Sequence, residues 1–286
     1  MRFDDGRESD HVEDRRGEGG GGGLRLGGGR IGLGTIALAL VAMYFGVDPR
    51  VILNLAGGPA PVQQAPAQRP PEGDTEARFV SMVLADTEDT WSMLFKQSGR
   101  QYPMPTLVLF SGVTPTACGT GQAAMGPFYC PGDQKVYIDL SFYDEMRTRF
   151  RAPGDFAQAY VIAHEVGHHV QNVLGISEKV QAARQRVSER ESNQLSVRLE
   201  LQADCLAGVW AHHADRARHV LEAGDVEEAL AAATAIGDDR LQKEARGFAV
   251  PDSFTHGSSA QRVRWFRRGL DSGRMADCDT FAVASL

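Results

Sequence analysis

The sequence predicts a mostly helical α+β domain with a small sheet, preceded by one transmembrane helix. Three observations support this prediction. Residues 31–47 form an uncharged apolar run, and two short runs typical of strands lie at Thr106–Ser111 and Lys135–Leu140. Two further apolar segments, Asp155–Leu174 and Leu199–Trp210, are long enough and proline-free enough to form buried helices.

Composition limits the class of partner. The chain has 286 residues, enough for one sizeable core or two small ones, and its hydrophobic fraction of 42% is ordinary for a globular protein. The formal net charge is −7 and the sequence pI is near 5.6. We therefore expect no nucleic-acid partner, because such proteins carry a basic surface.

The N-terminal third predicts a tail and a membrane anchor. Residues 1–30 mix acids with arginines, end in a glycine tract and show no periodic apolar face, so we expect a disordered tail. The run 31–47 would span roughly 25 Å as a helix, the short end of what crosses a bilayer. Arg25 and Arg30 precede it, which predicts a single-pass inner-membrane protein with a cytoplasmic N-terminus and an extracytoplasmic domain. A buried core helix is the alternative.

A spacer and a soluble domain follow the apolar run. Residues 48–74 contain a stretch rich in Pro, Ala and Gln, which is typical of a semi-rigid linker, so the soluble domain is expected at 75–286. Within it, apolar residues at helical spacing predict an amphipathic helix over 75–97. Val136–Asp139 is a candidate edge strand for binding an extended substrate, although an ordinary sheet strand explains it equally well.

The chemistry lies in His164-Glu165-Val166-Gly167-His168. Residues four apart share one face of a helix, so His164 and His168 can present two imidazoles to one metal ion. In the HExxH pattern the histidines bind Zn²⁺ and the glutamate, here Glu165, accepts a proton from water that the metal polarises. A pair of ordinary core histidines is the alternative.

A third ligand is expected from the second apolar segment. Glu200 and Asp204 lie four residues apart on one face of it, and adjacent buried carboxylates need a cation to neutralise them. We predict Glu200 as the ligand and Asp204 as the acceptor that fixes the tautomer of a ligating histidine. A surface-facing acidic pair is the alternative. The other side chains weighed as ligands are less well placed; they are His169, His212, His213, Glu178, Glu189 and Glu191.

The four cysteines contain no CxxC pair, so a structural zinc site is not expected. An even count after a membrane segment suggests two disulfides formed in an oxidising compartment. Cys118 and Cys130 flank one loop and form the natural local pair, which leaves Cys205 with Cys278. Four cysteines nevertheless allow three connectivities.

Four blocks of sequence carry a resemblance to a known family; they are Gly126–Pro131, Ala159–Gln171, Glu200–Cys205 and Phe254–Arg262. Together they resemble the bacterial neutral zinc metallopeptidase family of membrane-anchored peptidases, and the likeness runs along the whole chain. The resemblance implies a zincin-like fold of the gluzincin kind and peptide-bond hydrolysis.

A second resemblance concerns His256 and Arg262. The CAAX prenyl proteases and a bacterial heat-shock protease have a histidine followed six residues later by an arginine, as here, but their proline pair is replaced by Gly257-Ser258. The resemblance suggests that His256 stabilises the oxyanion and that Arg262 orients it or pairs with an acid. A loop histidine that caps the following helix is the alternative.

The predicted function is therefore that of a membrane-anchored zinc endopeptidase with one Zn²⁺ per chain and a peptide or protein substrate. Two rivals stay open. One is a zinc-dependent scaffold that binds peptides without cleaving them. Cleavage activity on a peptide library, measured with and without a chelator, would distinguish this scaffold from an enzyme. The other is a hydrolase of peptidoglycan cross-links, which a muropeptide digest would reveal.

Overall fold

The computed structural model describes residues 1–3, 6–17 and 68–286. Its main sheet has the strand order β1-β2-β6-β5, with β1 parallel to β2, β2 parallel to β6, and β5 antiparallel to β6. These strands are β1 Val12–Asp14, β2 Thr106–Phe110, β5 Phe128–Cys130 and β6 Lys135–Asp139. A separate hairpin joins β3 Val113–Thr116 to β4 Gly119–Gln122.

Helices make up most of the described chain, which confirms the predicted mostly helical α+β class. They are α1 Thr75–Gln97, α2 Ser141–Thr148, α3 Asp155–Val173, α4 Ile176–Arg184, α5 Glu189–Arg218, α6 Asp225–Ala235, α7 Asp238–Arg246 and α8 Ser259–Ser272. Side-chain capping interactions fix where several of these helices begin. Asp74 accepts a hydrogen bond from the Ala77 amide, and Ser188 and Ser258 each begin a capping box.

Helix α3 is central to the packing. It contacts β5 and β6 on the sheet side and α1, α5 and α6 elsewhere. Its apolar residues Phe156, Tyr160, Ile162, Val166 and Val170 are fully buried, as expected for a helix covered on several sides.

Two close helix crossings depend on residues without a side chain. Gly167 of α3 faces Ala203 of α5, and a Cβ at Gly167 would lie 3.0 Å from the Ala203 carbonyl oxygen. At the crossing of α5 with α8, a Cβ at Gly269 would overlap the carbonyl oxygen of Cys205. The backbones of α3, α5 and α8 can therefore approach closely, and these helices carry the predicted site residues.

Two disulfides join Cys118 to Cys130 and Cys205 to Cys278. This is the pairing expected when the two cysteines that flank one loop bond to each other. The first links the β3–β4 hairpin region to β5. The second ties α5 to the C-terminal turn Met275–Cys278.

The N-terminal segment corrects one prediction. Residues 6–17 belong to the predicted disordered tail, yet β1 pairs with β2, and Val12 and Phe3 are buried in the core. Tail composition was misleading because the polar residues of this segment pair with partners far along the chain. By its contacts, the folded unit includes the described residues 1–3, 6–17 and 68–286, so it begins before Thr75.

The predicted transmembrane helix 31–47, with residues 18–30 and 48–67, lies outside the described residues. Within the described ranges, no helix combines the length and the hydropathy that a bilayer crossing requires.

Other predicted elements agree closely with the structure. Helix α1 has the expected bounds, and β2 and β6 each end one residue early. Strand β6 is not an edge, however, because β2 and β5 flank it. The edge next to it is β5, a three-residue strand too short to stand out in the sequence.

The crossing of α5 and α8 provides a test of packing. Replacing Gly269 by Ala should lower the free energy of unfolding by at least about 1–3 kcal/mol, because the added methyl group overlaps backbone that cannot move aside. Gly17→Ala is the matched control, since no atom of the described residues lies within 4 Å of its new Cβ. Chemical denaturation of both variants measures the difference, and equal stability would contradict the close crossing.

Candidate metal centre

Two histidines and one glutamate converge where α3 crosses α5. The Nε2 atom of His164 lies 3.2 Å from one carboxylate oxygen of Glu200, and His168 Nε2 lies 3.5 Å from the other. One ligand atom from each of the three residues falls within 4.8 Å of the others, a grouping that could hold a metal ion. The helical spacing of the histidines and the Gly167–Ala203 crossing together create this grouping.

Each histidine is oriented through its other ring nitrogen. His164 Nδ1 lies 2.8 Å from Asp204 Oδ1, and His168 Nδ1 lies 2.9 Å from Gln171 Oε1. Gln171 in turn donates to the Leu199 carbonyl at 2.7 Å and to Gln202 at 3.1 Å. With their Nδ1 atoms held by these partners, both rings turn their Nε2 atoms towards Glu200.

A buried network surrounds Asp204, whose side chain is fully buried. Its carboxylate accepts hydrogen bonds from the Tyr160 hydroxyl at 2.5 Å and from two nitrogens of Arg262 at 2.9 Å each. Burial opposes ionisation of Asp204, but Arg262 and His164 lower its pKa below the usual value. Arg262 therefore pairs with an acid, one of the two roles that the sequence suggested.

The charges of the site favour a bound cation. Burial disfavours protonation of the histidines, but Asp204 and Glu200 raise the pKa of His164 to about 10. Glu200 also raises the pKa of His168 against the effect of burial. Although burial opposes its ionisation too, the two histidines hold the pKa of Glu200 well below its ordinary value. Positive charge is thus stabilised where the three side chains meet.

Glu165 lies beside the two histidines and lines the same cleft. Burial raises the pKa of its carboxyl group, and the nearby His164 and His168 act in the opposite direction. A carboxylate in such a setting is a stronger base than one in water, because burial makes its charged form less stable.

The cleft has a volume of about 630 Å³. Apolar side chains line much of it, and Tyr129 of β5 reaches it from the sheet. At the wall formed by the loop before α8 lies His256, whose side chain is 53% exposed. His256 therefore shares a cleft with the three candidate ligands.

Asp238 holds the loop that carries His256. One carboxylate oxygen accepts the backbone amides of Thr255 at 2.7 Å, His256 at 2.6 Å and Gly257 at 3.0 Å. The other lies 3.3 Å from His256 Nδ1, and this contact raises the pKa of His256. Sequence reasoning missed Asp238, and also Gln171 and Tyr160. The available signals were an acid at a helix start and polar residues on an apolar helix.

The alternative ligands make other contacts. His169 lies 3.0 Å from the Tyr129 hydroxyl and 2.6 Å from the Pro103 carbonyl oxygen. His212 and His213 contact the carbonyl oxygens of Leu270 and Gly273. Glu178, Glu189 and Glu191 are exposed. Among the described residues, the grouping with two histidines is the one at His164, His168 and Glu200.

Comparison with known proteins agrees with this geometry. The family model described as "Putative neutral zinc metallopeptidase" matches residues 1–281. The chain is 54% identical to "Uncharacterized protein YpfJ" of Escherichia coli K12 over 286 residues, covering 98% of this chain and 99% of the relative. It is 39% identical to "Uncharacterized protein Rv2575" of Mycobacterium tuberculosis H37Rv over 258 residues, 86% of each chain.

No solved structure matches the chain, so the zincin-like fold implied by the resemblance stays a prediction. The family match nevertheless spans nearly the whole sequence, including the N-terminal strand β1 and the candidate metal centre. On this evidence the chain belongs to the family of neutral zinc metallopeptidases.

Proposed function

We propose that this protein is a zinc-dependent endopeptidase that cleaves peptide bonds of cell-envelope substrates. The observation that supports this most directly is the meeting of His164, His168 and Glu200 with Glu165 in one cleft. Two imidazoles and one carboxylate form the ligand set of many catalytic zinc sites, which keep a further position for water or substrate.

The residues present fit a zinc ion. Both histidines have their Nδ1 atoms bound to oxygen acceptors, so both Nε2 atoms are available as neutral ligands. Glu200 adds one negative charge, and its pKa keeps it ionised. We propose one Zn²⁺ per chain at this position. When bound there, the ion would act as a Lewis acid that polarises the scissile carbonyl and lowers the pKa of water.

Glu165 is the proposed general base. Its carboxylate takes a proton from the attacking water and passes it to the amine that leaves when the peptide bond breaks. The flanking histidines hold the backbone of this turn, so Glu165 has a fixed position relative to the ligands. Asp204 and Arg262 contribute indirectly, because they set the orientation of His164.

His256 is the proposed donor to the oxyanion. Its contact with Asp238 keeps the ring protonated on Nδ1 and favours the charged imidazolium, which carries a second N–H group on Nε2. A donor of this kind stabilises negative charge that develops on the carbonyl oxygen in the transition state.

An extended peptide fits the shape of the cleft. The apolar walls include Val161, Phe142 and Phe150, so we propose that substrates place large apolar side chains there. Strand β5 is the sheet edge beside these walls and is the proposed partner for substrate backbone, in place of Val136–Asp139. The two disulfides support a location in an oxidising compartment outside the cytoplasm.

Zinc binding should depend on pH. The carboxylates around His164 raise its pKa to about 10, so at neutral pH zinc binding should release at least one proton, and affinity should rise about tenfold per pH unit for each proton released. Calorimetric titration at pH 6–8 in buffers of different ionisation enthalpy measures the proton count. Glu200→Gln should bind zinc at least about tenfold more weakly. Affinity that is constant over this pH range would argue against zinc ligation by these histidines.

Glu165→Gln should reduce kcat by about 10²–10⁴ or more while zinc content stays unchanged, because the variant loses the general base and keeps the ligands. Turnover of a quenched peptide library and metal analysis of the purified full-length protein test this together. Glu178→Gln on the exposed face of α4 is the matched control. Full activity of Glu165→Gln would exclude the proposed mechanism.

His256→Gln should lower kcat by about 10²–10³ with little change in KM, because the hydrogen bond forms only in the transition state. Asp238→Asn should shift the pH profile of kcat, since the pKa of His256 is raised by the carboxylate. His219→Asn, at an exposed helix end, is the control. A purely structural His256 would change stability and leave the kcat of the folded variant intact.

A further inference from the structure

The N-terminal segment is an integral part of the sheet. Strand β1 pairs in register with β2, with Val12 opposite Leu107 and Asp14 opposite Leu109. Glu13 of β1 also binds Lys135 of β6 at 2.7 Å. The first strand of the chain is thus joined to two strands that lie about a hundred residues later.

A buried carboxylate on α1 depends on the same segment. Glu88 is fully buried, and in the described part of the chain its hydrogen bonds all come from residues 7–11. Arg7 donates to it at 2.9 Å, Ser9 at 2.6 Å, and His11 Nδ1 lies at 2.7 Å. Without these partners, α1 would bury a negative charge in the core at high cost.

The chain returns to the place that it left. The Asp14 amide donates to the Gln68 carbonyl at 2.7 Å, and Arg16 pairs with Asp74 at 2.7 Å. The described chain therefore stops at Gly17 and resumes at Gln68 on the same edge of the sheet.

We infer that the described residues up to Gly17 and those from Gln68 onward occupy the same compartment. The chain therefore does not make a single membrane crossing between Gly17 and Gln68. Two paired strands cannot lie on opposite sides of a hydrocarbon layer roughly 30 Å thick. The number of membrane crossings in this interval must then be even. The apolar run 31–47, however, is long enough for one crossing only. Contact of this run with lipid would be made from one face of the bilayer.

Exchange of β1 between two copies does not change this conclusion. Each copy would have the same topology, so a donated strand would still lie on the side of its own N-terminus. The inference therefore replaces the expected cytoplasmic N-terminus with one that shares the compartment of the metal centre. It does not rest on the proposed enzymatic activity.

The test labels the two segments in the full-length protein in cells. Asp10→Cys and Val113→Cys each place a thiol at an exposed position, and the four native cysteines are paired in disulfides. A membrane-impermeant maleimide is applied to spheroplasts and to inverted vesicles. Labelling of both variants from the same face is the expected result. Labelling of the two variants from opposite faces would overturn the inference.

A second measurement checks that β1 docks in the same protein. Ser9→Ala removes a donor to the buried Glu88 and should lower Tm by roughly 2–8 °C. Glu8→Ala is the matched control, because the pair that Glu8 forms among the described residues, with Arg78, is exposed. Equal shifts for the two variants would show that the segment is not docked, and the inference would fail.

Discussion

The close crossing of α3 and α5 is the constraint on which the site depends. Gly167 lies between the two halves of the metal-binding motif, and its lack of a side chain lets Ala203 approach. Glu200 precedes Ala203 by about one turn, so the crossing brings its carboxylate to both imidazoles. The motif on α3 provides two candidate ligands from local spacing alone. The third candidate is added by packing, and a small residue inside the motif permits that packing.

The buried charges compensate one another around this crossing. Asp204 faces Arg262 on one side and His164 on the other, and the Tyr160 hydroxyl donates to it as well. Each group alone would be costly to bury, since the protein interior solvates charge poorly. Together they fix the ring of His164 and attach α8 to the centre of the fold. Stability and ligand geometry thus depend on the same hydrogen bonds.

Local features of the fold could be predicted from the sequence, and features made by distant contacts could not. The bounds of α1 and α3, the pair His164 and His168, and the grouping of Glu200 with Asp204 all follow from periodicity within one segment. Asp238 and Gln171 act on residues that another segment or turn supplies, so their local signals, an acid at a helix start and a polar residue on an apolar helix, do not identify their partners. Strand β5 is too short for alternation to be recognised. Asp204 is fully buried, as its apolar neighbours on the same helix predict, whereas Glu200 is partly buried, with 18% of its side chain exposed.

The N-terminal segment shows why composition alone misjudges such a region. Residues 6–17 are polar and rich in charge, which is typical of a solvated tail, because a tail has no apolar face to bury. Here polar side chains of the segment, Arg7 and His11, bind the buried Glu88 carboxylate inside the domain. The polar residues therefore attach the segment to the fold. Glu88 itself gives the complementary signal, an acid on the buried face of a predicted amphipathic helix. Such an acid requires a partner, and the partner can come from any part of the chain, including one that composition would assign to solvent.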